Sequence, residues 1–226
     1  MSVPVPVVRL NAVTKVFQTG GGPVMALREA SLVVRPGEFV VITGPSGSGK
    51  TTLLHLAALL ERPTQGSVTF EGRETDRLSE TETSEIRKRR IGMVFQRFCL
   101  LPHRTVLENV LFRYRYVGLP GAADRERAMG LLAELGLEGA AHRRARVLSA
   151  GEMQRVAIAR AVVLQPAILV ADEPTGNLDA AATHRVMACF ADLHRRGLTI
   201  LMVTHNEHLT AYGTRHCVCR DGVLAN

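Results

Sequence analysis

The hydrophobic and polar positions of this chain follow two rhythms, one of period two and one close to 3.6. Val7 to Val16 alternates like a strand, ends in Lys15-Val16-Phe17, and gives way to a polar, glycine-rich turn from Gln18 to Pro23. Val24–Val34 reads as a further strand-pair region closed by Arg35-Pro36-Gly37. Phe39 to Ile42 is an unbroken apolar run, as in a strand buried on both faces, and the apolar-rich Thr52–Leu60 suits a helix. A turn at Arg62–Gly66, a strand at Ser67–Phe70 and a turn at Glu71-Gly72 follow. The charged stretch Thr81–Arg90 is expected to be helical and leads into a short strand, Ile91–Phe95, that ends at Gln96.

From Arg97 to about Leu148 the texture changes. Leu107–Tyr116 and Asp124–Leu135 have helical spacing, with Gly118-Leu119-Pro120-Gly121 between them. Asp124 is placed as an N-cap and Gly136 as the residue that ends its helix. Another helix is expected to open near Ser149 and run to Leu164, stopped by Gln165-Pro166. Ala167–Ala171 and Leu198–Val203 are again continuous apolar runs, with a helix over Thr183–Arg195 between them. His216–Arg220 and Val223-Leu224 flank Asp221-Gly222, a strong hairpin signal. Strands alternating with helices predict an α/β fold with a mostly parallel sheet and ligands at the carboxyl ends of its strands.

The stretch from Phe39 to Leu54 organises the rest. Gly44-Pro45-Ser46-Gly47-Ser48-Gly49-Lys50-Thr51, with Thr52 after it, satisfies G-x-x-x-x-G-K-[ST] at every defined position and lies between a strand and a helix. Glycines let successive N–H groups converge on phosphate oxygens, and the helix N-terminus adds its positive end. Lys50 supplies a charge to the outer phosphates, and the Thr51 hydroxyl is a ligand for Mg²⁺. This is a binding loop for a nucleoside triphosphate. Ile168 to Glu173 pairs an apolar strand with two adjacent carboxylates whose side chains point in different directions. Asp172 can face the Mg²⁺ shell while Glu173 reaches a water in line with the terminal phosphorus, as a general base. Gln96 and Thr204-His205 fall at strand ends as well, so four elements are expected to deliver side chains to one site.

Composition narrows the setting without choosing a partner. Hydrophobic residues at 46% support a sizeable core, and aromatics at 4% with no Trp leave its packing to Leu, Val and Ala. The start, MSVPVPVVRL, has no charged segment followed by an apolar run, and no stretch approaches the roughly 18 apolar residues of a membrane span. The expectation is a cytosolic chain that borrows any membrane part from another. A net charge of +7 fits phosphate ligands, an anionic membrane face or nucleic acid alike. Arg87–Arg90 and Arg143–Arg146 read as solvated helix faces. Cys99, Cys189, Cys217 and Cys219 lack zinc spacing and read as reduced, mostly buried thiols; Cys217 and Cys219 share a strand face.

Leu148-Ser149-Ala150-Gly151-Glu152, followed by MQRVAIARAV, resembles the signature motif of ATP-binding-cassette (ABC) ATPases. Ala171–Asp179 (ADEPTGNLD) and the Thr204-His205 strand end complete the resemblance, in the family's order and over essentially the whole chain. It implies a P-loop NTPase core with an antiparallel β subdomain and an inserted helical subdomain. The chain then reads as one domain, 1–226: a nucleotide-binding core with the β subdomain at 1–96 and 155–226, and the helical subdomain with the signature at 97–154. It implies ATP and Mg²⁺ as ligands, with Phe17 stacking on adenine. Gln96 would contact Mg²⁺ and the attacking water, and His205 would hydrogen-bond the terminal phosphate. Ser149, Ala150, Gly151 and Glu152 would complete the nucleotide site of a second copy, and Asp179 would belong to a loop crossing that dimer interface. Ala150 departs from the family's usual Gly, and an added methyl there could crowd the phosphate or restrict φ. Met153 stands where Gln is common.

QRFCLLPHRTVLENV (Gln96–Val110) together with ADEPTGNLD is similar to the branch that serves lipoprotein release, macrolide-type efflux and cell division. In that branch the ATPase is a separate chain paired beneath membrane subunits, which would dock near Phe98, Leu100 and Leu101. The expected function is a transport-coupled ATPase at the inner face of a membrane. The alternatives are an amino-acid importer ATPase, an ABC protein acting on nucleic acid, and a small-molecule kinase. The nucleic-acid reading has the basic charge in its favour, but no long coiled coil, zinc insert or second cassette. The kinase reading leaves Ser149–Glu152 and His205 without a use.

Overall fold

The computed structural model describes residues 4–225. In chain order its elements are β1 (Val8–Thr19), β2 (Gly22–Val34), β3 (Phe39–Thr43), α1 (Lys50–Ala57), β4 (Gln65–Phe70), β5 (Arg73–Glu74), α2 (Glu80–Arg90) and β6 (Ile91–Val94). Then come α3 (Val106–Leu111), α4 (Ala122–Glu134), α5 (Ala150–Val162), β7 (Ile168–Asp172), α6 (Ala180–Arg195), β8 (Thr199–Thr204), β9 (Arg215–Arg220) and β10 (Val223–Ala225). Six strands form one sheet in the order β10-β9-β3-β8-β7-β6, parallel except for the β9–β10 hairpin. Four others form an antiparallel sheet, β2-β1-β4-β5. The α/β architecture read from the sequence is the one observed.

Alternation along the central strands explains the layering. Phe39, Val41, Leu169, Ala171, Ile200 and Met202 face a core shared with α3, α4, α5 and α6. Val40, Ile42, Ile168, Val170, Leu201 and Val203 face a second core shared with α1 and the antiparallel sheet. All twelve are fully buried. Burying such a side chain contributes about 1.5–3 kcal/mol, against intrinsic strand preferences spanning about 1 kcal/mol in all. Packing on both faces therefore sets the register, and a one-residue slip would exchange the two cores.

The helical segments differ in detail from the sequence expectation. Val24–Val34 is not a strand pair but the greater part of the single strand β2. The N-cap of α4 is Gly121; Asp124 lies in the first turn and reaches back, its Oδ2 accepting from the Gly121 N–H at 2.9 Å. Gly136, at φ +67°, does end that helix: its N–H donates to Ala133 O, and the Leu137 N–H donates to Leu132 O at 2.7 Å. The helix expected over Leu107–Tyr116 is α-helical only to Leu111 and tightens into a 3₁₀ turn over Phe112–Tyr116. There Arg113 turns inward and donates to the carbonyls of Lys88 (2.6 Å) and Ile91 (3.1 Å). Arg87–Arg90 closes α2, with ion pairs to Glu80, Glu85 and Glu71. Arg143–Arg146, by contrast, is no α-helix face. Its backbone pairs with 102–106, through Val106 N–H to Arg143 O and Ala145 N–H to Arg104 O, both at 2.9 Å.

The turn before α3 is fixed from inside. Asn109 is fully buried; its Oδ1 accepts from the Leu101 N–H at 2.7 Å, and its Nδ2 donates to the carbonyls of Leu101 (3.1 Å) and Thr105 (2.9 Å). Asn109→Ala removes the acceptor of the Leu101 N–H, while the Leu101 and Thr105 carbonyls keep the backbone N–H groups of Arg104 and Asn109; it should cost about 1–3 kcal/mol, read as a lower denaturant midpoint with unchanged slope.

Candidate functional site

The carboxyl ends of four parallel strands share one rim. In the ladder Thr43 lies opposite Thr204, Asp172 opposite Val203, and Val94 opposite Ala171. Gly44, Glu173, His205 and Phe95-Gln96 therefore leave the sheet side by side.

From β3 the chain turns over this rim to α1. Two glycines are imposed by close backbone approach. Gly44 has φ +151°, and a Cβ there would stand 2.0 Å from Cys219 O. Gly49 has φ +102°, and a Cβ would stand 2.4 Å from Ala26 O. The β9–β10 hairpin supports the loop from below: Cys219 Sγ and the Gly222 N–H both donate to Ser48 O at 3.0 Å. Burial pushes the Cys219 thiol up, as it does those of Cys189 and Cys217. Lys50 is 6% exposed and folds back, donating to Gly44 O (2.8 Å) and Pro45 O (2.7 Å). A cationic group held on neutral carbonyls is available to anionic oxygens.

Thr51 Oγ1 donates to Asp172 Oδ1 at 3.1 Å, so a hydroxyl and a carboxylate converge beneath the loop. Burial raises the Asp172 carboxyl above its usual range, opposed by the Thr51 hydrogen bond and the charges of His55 and Lys50. Hard oxygen donors in that pairing suit Mg²⁺. Glu173 has a left-handed backbone, φ +46°, uncommon for a residue with a Cβ. Its Oε2 lies 2.9 Å from His205 Nδ1 and accepts from the His205 N–H at 3.2 Å.

A cavity of about 440 Å³ is lined by Ser46–Thr52, Gln96, Glu173 and His205, with Val24 and Met25 at one side. Another cavity, about 510 Å³, lies between α4 and the end of α6 and contains none of these groups. Phe17 is half-buried and does not line the nucleotide-sized cavity; its cross-strand partner Val24 does, and Lys15 Nζ sits 4.9 Å from the Phe17 ring centre. Gln96 is joined to the strand-end loop beyond Glu173, donating weakly to Asn177 Oδ1 at 3.5 Å while Asn177 Nδ2 donates to Gln96 O at 3.1 Å. Sequence spacing did not single out Cys219, Asn177 or Gln154. All three act through backbone carbonyls far away in sequence, a relation that no local motif encodes.

Ser149, Ala150, Gly151 and Glu152 do not line the cavity. They open α5, where Ser149 caps the helix. Ala150 has no positive φ, so its methyl imposes no backbone strain. Gly151 faces α6 closely; a Cβ there would be 3.0 Å from Ala182 Cβ. Asp179 caps α6, accepting from the Ala182 N–H at 2.7 Å. The two helix starts are thus neighbours, and neither lines the cavity of the Lys50 loop.

The family model described as ABC transporter matches residues 27–176. An uncharacterized ABC transporter ATP-binding protein of Thermotoga maritima is 45% identical over 216 residues, covering 96% of this chain and 92% of that protein. The lipoprotein-releasing system ATP-binding protein LolD of Aquifex aeolicus is 48% identical over 196 residues, covering 87% and 88%. The macrolide export ATP-binding/permease protein MacB of Hahella chejuensis is 40% identical across 97% of this chain, which spans only 34% of that longer protein. Among solved structures, the dimeric bacterial ABC transporter cassette MJ0796 superposes with a TM-score of 0.87 at 38% identity, covering 97% of each chain. A post-hydrolysis dimer of the same cassette, bound to ADP and Pi, superposes equally well.

At the opening of α5, Glu152 Oε2 accepts from the Ser149 N–H and Oγ, each at 2.8 Å, and Arg143 lies 3.3 Å from its Oε1. The Ser149 N–H, then its hydroxyl, hold the Glu152 carboxyl below the usual carboxylate range. With the folded value lowered, the stabilisation is present above the unfolded value and lost as pH falls through the folded one. Glu152→Ala should therefore cost about 1 kcal/mol at neutral pH, with the difference in melting temperature from the parent closing as the pH is taken below about 4.

Proposed function

The chain belongs to the ABC transporter family, and from that premise we propose that each copy is half of a composite ATPase site completed by a second copy. It is an ATP-binding, ATP-hydrolysing cassette; what is proposed is the assignment of its residues and its partners. The observation that carries the assignment is the 440 Å³ cavity, which unites the Lys50 loop, Gln96, Glu173 and His205 and leaves Ser149–Glu152 outside.

In this reading the backbone N–H groups of Gly44–Thr52 wrap the phosphates. Lys50 exchanges the carbonyls of Gly44 and Pro45 for the outer phosphate oxygens. Thr51, Asp172 and Gln96 would hold Mg²⁺, which would neutralise charge developing on those oxygens. Glu173 accepts a proton from the water as its oxygen bonds to the terminal phosphorus and the bond to the bridging oxygen breaks. His205, aligned on Glu173, donates to the terminal phosphate. Phe17, although it does not line the cavity, is the ring assigned to the adenine, a stack worth about 1–3 kcal/mol. The partner copy brings Ser149, Ala150 and Gly151, with Glu152 behind them, to the open side of the phosphate, and Asp179 to the shared interface. The helical subdomain, 97–154, is the unit that presents this loop.

The names LolD and MacB direct the proposal toward export or lipoprotein release, with separate membrane permease subunits in place of MacB's fused one. Among the described residues no helix is long and apolar enough to cross a membrane. The chain is therefore proposed to sit at the inner membrane face through subunits docked at Phe98, Leu100 and Leu101.

Glu173→Gln is expected to bind ATP as the parent does, to hydrolyse it 10²–10⁴-fold more slowly, by order of magnitude, and to run as a dimer on sizing with ATP. A Glu173→Gln chain that is monomeric with ATP and hydrolyses at the parental rate would remove the assignment.

A further inference from the structure

One buried amide touches the three working segments of the site. Gln154 lies on the covered face of α5, one turn beyond Ser149–Gly151, and is fully buried. Its Nε2 donates to Pro174 O at 2.6 Å and to Phe95 O at 3.3 Å. Both partners are acceptors, so the amide cannot be flipped without setting its own oxygen against two carbonyls. Pro174 follows Glu173 and Phe95 precedes Gln96. Each of these carbonyls lies past the end of its strand, β7 and β6, where the ladder no longer supplies a partner.

Two features separate Gln154 from an ordinary polar residue in a helix. First, its Oε1 is buried without a hydrogen-bond partner among the described residues, which is uncommon for a buried amide oxygen. Second, α5 holds the Gln96 segment again further on: Arg160 donates to the carbonyls of Phe98 (2.9 Å) and Cys99 (2.5 Å). The loop carrying Gln96 is therefore tied to α5 on both sides of Gln96. The turn carrying Glu173, itself in a left-handed conformation, is tied to the same amide.

We infer that Gln154 is a positioning residue for hydrolysis: its amide couples the turn of Glu173 and the loop of Gln96 to the helix that serves the partner's nucleotide. This rests on the roles proposed above for Glu173, Gln96 and the start of α5. A shift of α5 on closure of two copies would then move the water-activating carboxylate and the Gln96 amide together. Phosphate binding by the Lys50 loop, held by β3 and the β9–β10 hairpin, would not depend on it.

The test is steady-state ATP hydrolysis by the full chain with Mg²⁺, comparing the parent, Gln154→Met and Glu173→Gln. Gln154→Met keeps the length of the side chain and removes its donor. A fall in kcat of about 10–100-fold, with KM for ATP within about twofold, is expected. A parental kcat, or a loss confined to KM, overturns the inference while leaving the ATPase assignment standing if Glu173→Gln is inactive. An active Glu173→Gln would instead remove the role proposed for Glu173. Should Gln154→Met fail to fold, the side-chain amide signal of Gln154 in glutamine-labelled wild-type protein decides. Slow exchange with solvent and a shift on adding Mg-ATP are expected, and fast exchange with no response to nucleotide overturns the inference.

Discussion

The structure depends on the register of four parallel strands, β6-β7-β8-β3. Because both faces of these strands are covered, their central side chains cannot trade places without exposing one core and overfilling the other. Register then decides chemistry. Thr43 opposite Thr204 and Asp172 opposite Val203 bring the loops after β3, β7 and β8 to one rim, and the pairing of β6 with β7 adds Gln96. No single motif makes the cavity; the ladder does, by ending the four strands within two residues of one another.

On that rim the protein keeps its charges in check with its own backbone. Lys50 rests on two carbonyls, Asp172 on the Thr51 hydroxyl, and Glu173 on the His205 ring and N–H. Each contact holds a polar side chain in place on the rim, as in a pre-organised site. The left-handed backbone of Glu173 belongs to the same logic, since unusual conformations persist where the surroundings over-determine them. Here the surroundings include the Val203 carbonyl, to which the Glu173 N–H donates at 3.0 Å.

Much of this was legible in the sequence because the relevant signals are local. Apolar runs such as Phe39–Ile42 and Ile168–Ala171 can be little other than buried strands, and the residues just after them inherit the rim. The glycine spacing of the Lys50 loop carries its own geometry. What was not legible depends on distant partners. Asp124 looks like an N-cap until the chain direction at Gly121 is known. The tightening at Phe112–Tyr116 follows from Arg113 finding the carbonyls of Lys88 and Ile91. Cys219 reads as a plain buried thiol, yet it holds the loop at Ser48 O. Gln154 is polar at a helical position that periodicity assigns to the core, and only the two carbonyls above it explain why.

None of Ser149–Glu152 lines the cavity of the Lys50 loop, and a second copy is proposed to supply them. The most direct test of a shared site is complementation between two defective chains. One carries Lys50→Ala, with its Ser149 loop intact; the other carries Ser149→Arg, with its Lys50 loop intact. Each alone should be nearly inactive, and mixing them should restore hydrolysis, because one composite site in each mixed pair is whole. A mixture that stays inactive, or a Ser149→Arg chain that hydrolyses ATP normally by itself, would contradict the account.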